Sequence, residues 1–212
     1  MSAVLLVMAK APAPHRTKTR LSPPCTPVEA ARLAEAALAD TLATVASVDA
    51  GRHVLVLDGD AGPWVPAGIE VRAQRGNTFN ERLAAAFDDV GTPSVLIGMD
   101  TPQVSAWELG AAIAALDHGA TDAVLGHATD GGWWAIGFRE RQPSAFEGIP
   151  MSADDTGARQ LKRLQSLGLS VTMLPRLRDV DRFSDARIVA DQIPASRFAR
   201  SVRDLAFVAR AR

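Results

Sequence analysis

The chain contains 212 residues, 47% of them apolar, with a formal net charge of -1, one cysteine and four histidines. This length accommodates one domain with a sizeable core and would cramp two, and the near-balanced charge offers no general field to a nucleic acid polymer. A single cysteine excludes an internal disulfide, the scattered histidines give no structural zinc spacing, and no run is long enough to span a membrane, so the expectation is a protein of the reducing cytoplasm.

Ala3 to Met8 reads as a buried strand. It is too short for a signal-peptide core, lacks a charged start and runs into Lys10. The Pro-rich loop that follows carries four cations, Lys10, Arg16, Lys18 and Arg20, before Leu21. A loop leaving a strand end is where open α/β sheets bind ligands, and alternating Arg16, Lys18 and Arg20 can grip a diphosphate from one side. A solvated basic loop fits the same residues. Next, Thr26-Pro27-Val28-Glu29 combines a capping box with proline at the first helical position and predicts a helix to Val48. Strands are expected at His53 to Leu57 and Ile69 to Ala73. Thr78-Phe79-Asn80-Glu81 repeats the box ahead of a helix through Leu83 to Val90, Ser94 to Gly98 is a strand, and Ser105 with Glu108 opens a third capped helix. Further strands are expected at Ala123 to Leu125, Trp133 to Phe138 and Ser170 to Leu174, with a helix from Thr156 to Leu167 closed by Gly168. The strand at Trp133 is expected to return antiparallel at the sheet edge or over the site. Residues 194 to 212 read as an amphipathic helix with Phe198, Val202, Leu205 and Val208 on one face and Arg197, Arg200 and Arg203 in solvent. Such alternation predicts an α/β fold, a mostly parallel sheet covered by helices, in a single domain over residues 1 to 212.

Three further stretches carry chemistry. Asp100 ends the apolar run Val95 to Met99, and Thr101-Pro102 stops the strand; a carboxylate there shares the sheet rim with the basic loop and can hold a hard cation that bridges phosphates, or cap the following turn. In Arg178-Asp179-Val180-Asp181, alternate carboxylates on an extended segment point the same way and can complete that cation site. Arg178 and Arg182 can instead neutralise them as a surface network, and Asp181 or Ser184 can cap a helix. Finally, Asp130-Gly131-Gly132-Trp133-Trp134 joins glycines that admit close backbone approach to indoles that can cover a sugar or base. A tight turn with both indoles in the core is the competing reading, and Trp134 fits either.

Taken together, Ala9-Lys10-Ala11-Pro12 with Lys18-Thr19-Arg20-Leu21, Gly98-Met99-Asp100-Thr101-Pro102, Asp130-Gly131-Gly132 and Asp179-Val180-Asp181 resemble the DUF2064 family of candidate GT-A-type glycosyltransferases over residues 3 to 190. Lesser matches lie at Ala30 to Leu42, at Gln74 to Leu83 with Arg82, and at Met151-Ser152. The family is similar to nucleotide-diphosphosugar transferases and, more distantly, to nucleotidyltransferases that make molybdenum or deazaflavin cofactors. The resemblance implies a Rossmann-like GT-A three-layer αβα sandwich, a nucleotide sugar or nucleotide, a small-molecule acceptor, and Mg²⁺ or Mn²⁺. It assigns the phosphate loop to Lys10, Arg16, Lys18 and Arg20, the metal to Asp100, Asp179 and Asp181, and the substrate to Asp130, Gly131, Gly132 and Trp133, with Lys18 and Asp130 catalytic. His15 and His127 depart from a usual glycine and proline, Ala153 replaces a frequent threonine, and Arg182-Phe183-Ser184 replaces a common Thr-Pro-Glu.

The implied reaction is metal-dependent sugar transfer. The same residues also suit nucleotidyl transfer with pyrophosphate release, or nucleotide binding without catalysis. The phosphate-loop glycine framework of P-loop NTPases and the Gly-x-Ser-x-Gly elbow of serine hydrolases are both absent. Nothing in the sequence selects the donor base, donor sugar, acceptor, stereochemical outcome or oligomeric state.

Overall fold

A computed structural model describes residues 3–119 and 121–210, with the backbone alone beyond residue 205. The first strand, β1 (Val4–Lys10), is apolar at every position to Met8 because both of its faces are covered. Leu5 and Val7 project to one side of the sheet and Leu6 and Met8 to the other, the period-two alternation of a central strand. Around it run β2 (Arg52–Asp58), β3 (Glu70–Ala73), β4 (Ser94–Gly98), β5 (Ala123–Ala128), β6 (Trp133–Phe138) and β7 (Val171–Leu177) in the order β3-β2-β1-β4-β6-β5-β7. Every neighbouring pair is parallel except those made by β6, which runs antiparallel to both β4 and β5.

Helices cover both faces. Residues of α1 (Pro27–Ser47) and α3 (Ala106–Asp117) pack on one side, among them Leu38, Leu42, Leu109 and Ile113; residues of α2 (Phe79–Val90) and α4 (Thr156–Ser166) pack on the other through Leu83, Phe87 and Leu164. The three expected capping boxes all form. Thr26, Thr78 and Ser105 each accept the N–H three residues on, and Glu29, Glu81 and Glu108 accept the cap's own N–H in return. The opposite side of α1 forms a third cluster with α5 (Phe183–Gln192) and α6 (Arg197–Arg210), where Leu33, Ala37, Val189, Phe198 and Val202 meet. The expected apolar face of the last helix is thus present at Phe198 and Val202, while the side chain of Val208 and residues 211 and 212 lie outside the described residues.

Three details differ from the sequence reading. Strand β6 is antiparallel as expected but lies inside the sheet, because Ala135, Ile136 and Phe138 are buried and an edge would leave one ladder unpaired. Helix α5 does not appear in the sequence reading: its start is capped by Arg182, whose N–H donates to Asp185, and Asp181 and Ser184 do not serve as the cap. Strand β7 continues through Pro175 to Leu177, which an edge strand tolerates because one side of its ladder needs no donor.

Trp134 is 2% exposed. The register steps from Gly126 opposite Ala135 to His127 opposite Trp133, so Trp134 is the extra residue of a bulge and turns onto the α1 and α3 side. Its indole lies over Gly126, where a Cβ would come within 2.5 Å of the ring, and its Nε1–H donates to the Pro175 carbonyl at 2.9 Å. Of the two readings left open for this residue, core is the correct one. Trp134→Ala is expected to lower unfolding free energy by about 3 to 5 kcal/mol in a urea titration, the usual loss for a buried aromatic, while Trp133→Ala, which removes an indole half-buried against the opposite cluster, costs less.

Candidate active site

The carboxyl ends of β1 and β4, the turn joining β5 to β6, and the segment after β7 enclose a cleft of about 820 Å³. Its lining brings together Lys10, Arg16, Lys18, Arg20, Asp100, Asp130, Gly132, Trp133, Asp179 and Asp181, while Gly131 sits behind the turn. These residues come from four separate stretches of chain, and the crossovers of the sheet are what collect them at one rim.

The basic loop is shaped by its own backbone. Thr17 is buried, and its hydroxyl donates to the Ala13 carbonyl and accepts from the Ala13 N–H, closing a tight turn. His15 and Lys18 have φ of 64° and 52°, both left-handed. The first of these bears on a departure in the sequence: a glycine suits position 15 because that conformation costs it nothing, and the exposed His15 adopts it instead. The second turns Lys18 inward. Its Nζ lies 2.6 Å from Asp100 Oδ1 and donates to the Val180 carbonyl, with the side chain only 8% exposed while Asp100 is 48% exposed. Arg20, further out, contacts Asp181 at 2.7 Å. Arg16 takes a different partner, Asp58 at the end of β2, 3.6 Å away, and Arg82 approaches the same carboxylate at 3.4 Å. Gln74 holds this corner by donating to the Ala9 and Val56 carbonyls.

The acidic segment is strapped to the exit of β4. The Val180 N–H donates to the Asp100 carbonyl at 2.8 Å, and Gln103 donates to the Arg178 carbonyl. Val180 itself is buried in the cluster under α1, α5 and α6, which fixes Asp179 and Asp181 on either side of it. Asp179 Oδ1 is buried with no hydrogen-bond partner among the described residues. Burial first, then the charges of Asp130 and Asp100, push this carboxyl up to about 7, against an opposing pull from Lys18.

Asp130 accepts the Gly132 N–H on Oδ1 at 2.8 Å, an Asx turn that fixes the loop. Gly131 has φ of 95°, and a Cβ there would fall 1.7 Å from the Asp154 carbonyl oxygen. Its own carbonyl accepts the Gly157 N–H at 2.8 Å, and a Cβ on Gly157 would come within 2.4 Å of the Gly132 carbonyl. The start of α4 is therefore pressed against the Asp-Gly-Gly turn. Sequence reasoning passed over Asp154 and Gly157; the one available signal was a glycine placed inside a helix, where it ordinarily costs stability.

Five carboxylates, Asp100, Asp130, Asp154, Asp179 and Asp181, line this cleft, and two cations, Lys18 and Arg20, pair with Asp100 and Asp181. Among the described residues no three His, Cys, Asp or Glu side chains stand as a ready ligand set, and Asp100 and Asp181 are turned to these cations. The donor set nevertheless fits a hard divalent ion: it is all oxygen, it carries excess negative charge, and it includes the unpartnered Asp179 Oδ1.

Ionising Asp179 inside the fold is unfavourable, since its carboxyl titrates near 7 there and near 3.8 ordinarily. Stability therefore falls as pH rises between those values and levels off above them. Asp179→Asn is expected to stabilise the protein by about 1 to 3 kcal/mol more at pH 8 than at pH 5, read from melting at both pH values. An equal effect at both would show that the carboxyl titrates normally.

Residues 32–153 match the model of a family described as uncharacterised proteins conserved in bacteria, DUF2064. The chain belongs to the DUF2064 family. The matched span contains Asp100 and Asp130; the basic loop and Asp179-Val180-Asp181 lie on either side of it. The DUF2064 chain also superposes on the crystal structure of a candidate nucleotide-diphospho-sugar transferase from Desulfovibrio desulfuricans G20, with a TM-score of 0.87 and 28% identity over 100% of this chain and 98% of that one. CMP:2-keto-3-deoxy-manno-octonic acid synthetase, solved with CTP, matches at TM-score 0.59 and 12% identity over 92% of this chain and all of that one. A cytidylyltransferase from Leptospira borgpetersenii matches at 0.55 and 13% over 95% and 96% of the two chains. At these identities the last two share the fold of the DUF2064 protein, a Rossmann-like sheet of the GT-A and nucleotidyltransferase type. No curated protein matches the sequence. Among the described residues no helix is long and apolar enough to cross a membrane.

Proposed function

We propose that this DUF2064 protein transfers a sugar from a nucleotide-diphosphate sugar to a small-molecule acceptor, as a single domain and with Mg²⁺ or Mn²⁺. The observation that carries the reading is the pairing of Lys18 with Asp100 and of Arg20 with Asp181, with Asp179 lining the same cleft at the carboxyl ends of β1 and β4. A diphosphate needs both kinds of group, cations for its oxygens and carboxylates for a bridging metal.

Asp100, Asp179 and Asp181 would hold the divalent ion, which supplies Lewis-acid stabilisation of the diphosphate oxygens. Lys10, Arg16, Lys18 and Arg20 bind the phosphates, and Lys18 offsets the charge that develops on the leaving diphosphate as its bond to the sugar carbon breaks. An acceptor hydroxyl forms the new bond to that carbon and loses its proton. Asp130, fixed by its bond to the Gly132 N–H, receives the proton or orients the hydroxyl. Gly132 allows the sugar to approach the backbone, Gly131 lets the turn close against Asp154, and the half-buried Trp133 forms the sugar's apolar wall. Support for sugar transfer over related chemistries comes from the 28% identical D. desulfuricans structure, itself assigned as a candidate transferase of this kind.

The test is a panel of nucleotide sugars assayed for nucleoside diphosphate release, with and without Mg²⁺ or Mn²⁺, on the wild type and on Asp100→Ala. Metal-dependent release lost in the variant supports the reading. Nucleotidyl transfer is the second reading, motivated by the fold shared with the two cytidylyl enzymes; pyrophosphate released from a nucleoside triphosphate would establish it instead. Nucleotide binding with no product from any donor would mark a noncatalytic protein.

A further inference from the structure

We infer that Lys18 and the divalent cation compete for the same place, so that loading metal requires the Lys18 ammonium to leave Asp100. The inference rests on the metal-assisted reading above and goes beyond it by assigning a gate to the metal site. Lys18 Nζ holds Asp100 Oδ1 at 2.6 Å and the Val180 carbonyl, two oxygens of the kind a hard cation takes, and its charge also pulls on Asp179. An ammonium with three donors that satisfies a carboxylate and a carbonyl is a monovalent substitute for that cation. The Lys18 side chain is 8% exposed and sits against Oδ1, so an ion bound to that oxygen and to the Val180 carbonyl would have to take the place of its ammonium.

Lys18 has a second destination. It lies on a loop whose other cations, Arg16 and Arg20, line the same cleft, and phosphate oxygens arriving there offer its ammonium a partner of equal or greater charge. Transfer of Lys18 from Asp100 to phosphate frees the carboxylate as the nucleotide arrives. Metal and phosphate then bind with positive coupling, each raising the affinity of the other.

The chain has three lysines, Lys10, Lys18 and Lys162, and the first and last are more open to solvent than Lys18. This makes the exchange directly readable. In the wild type, a short pulse of an amine-acetylating ester, mapped by mass spectrometry, should label Lys18 slowly relative to Lys10 and Lys162, and saturating Mn²⁺ alone should speed Lys18 labelling several-fold. In parallel, Mn²⁺ titration by calorimetry should give roughly tenfold or tighter binding to Lys18→Met than to the wild type. Arg16→Gln, which removes one positive charge from the same cleft but not from Asp100, should change Mn²⁺ affinity by no more than about twofold, the size of a screened distant charge. In Lys18→Met/Asp100→Asn the gain should vanish. Equal Mn²⁺ affinity of wild type and Lys18→Met, or Lys18 labelling unmoved by saturating Mn²⁺, overturns the competition while leaving the metal site standing. Failure of Mn²⁺ to bind any of these proteins overturns the metal reading and the competition together. The labelling arm uses the wild type, so its outcome does not depend on the folding of a variant.

Discussion

Lys18→Ala is expected to lower turnover about 100- to 1,000-fold, the loss typical of removing one preorganised charge stabiliser, while lowering the melting temperature by only a few degrees. The two effects separate for a structural reason. Asp100, the partner left behind, is 48% exposed and water can replace the ammonium there, so the fold loses chiefly the bond to the Val180 carbonyl, about 1 kcal/mol. The leaving diphosphate, in contrast, would lose a cation that stands against the proposed metal-holding carboxylate Asp100. Steady-state kinetics with the donor found by screening, alongside thermal melting, checks both halves. Unchanged turnover would remove Lys18 from the catalytic machinery whatever the donor proves to be.

Gly131→Ala is expected to be the most damaging single-methyl change in the cleft. A Cβ placed 1.7 Å from the Asp154 carbonyl oxygen cannot be accommodated by side-chain adjustment, because the obstacle is backbone, and φ of 95° is strained for any residue but glycine. Strain and overpacking together should cost about 2 to 5 kcal/mol. The relief available is a shift of the turn or of the start of α4, and either one moves Asp130. A displacement near 1 Å costs about 100-fold in rate where two groups must be aligned. Urea unfolding and turnover should therefore fall together. Gly132→Ala is the control: the nearest atom its Cβ would meet is on the Asp130 side chain, at 3.2 Å, so stability should be nearly retained. Wild-type stability of Gly131→Ala would mean that the turn and α4 are not packed as described.

Local signals in the chain account for much of the fold. Thr26, Thr78 and Ser105 each precede a glutamate by three residues and each starts a helix, because a capping box satisfies its N–H groups within one turn and needs nothing from the rest of the protein. The apolar run Val4 to Met8 likewise announces a strand covered on both faces. Where the partner is remote, the signal fades. The place of β6 between β4 and β5 depends on ladders to two other strands, and Trp134 belongs to the core only because a bulge turns it and Gly126 makes room. Helix α5 carries little local signal because its cap is an arginine N–H bonded to Asp185, outside the usual Ser, Thr, Asp or Asn pattern at the cap itself.

The candidate site divides in the same way. Which residue types are present, four cations between Lys10 and Arg20 and carboxylates at Asp100, Asp130, Asp179 and Asp181, is a property of the chain and was readable from it. Which cation faces which carboxylate was not. Lys18 meets Asp100 because a left-handed residue in the loop turns it inward, and Val180 anchors Asp179 and Asp181 because it is buried against helices contributed by distant segments. Asp179 acquires its raised pKa chiefly through burial beside Asp130 and Asp100, neighbours that are remote from it along the chain. Charge and propensity belong to individual residues and short windows, so sequence alone determined the chemistry available; desolvation and ion pairing depend on distance in space, so the tertiary structure decided how that chemistry is arranged.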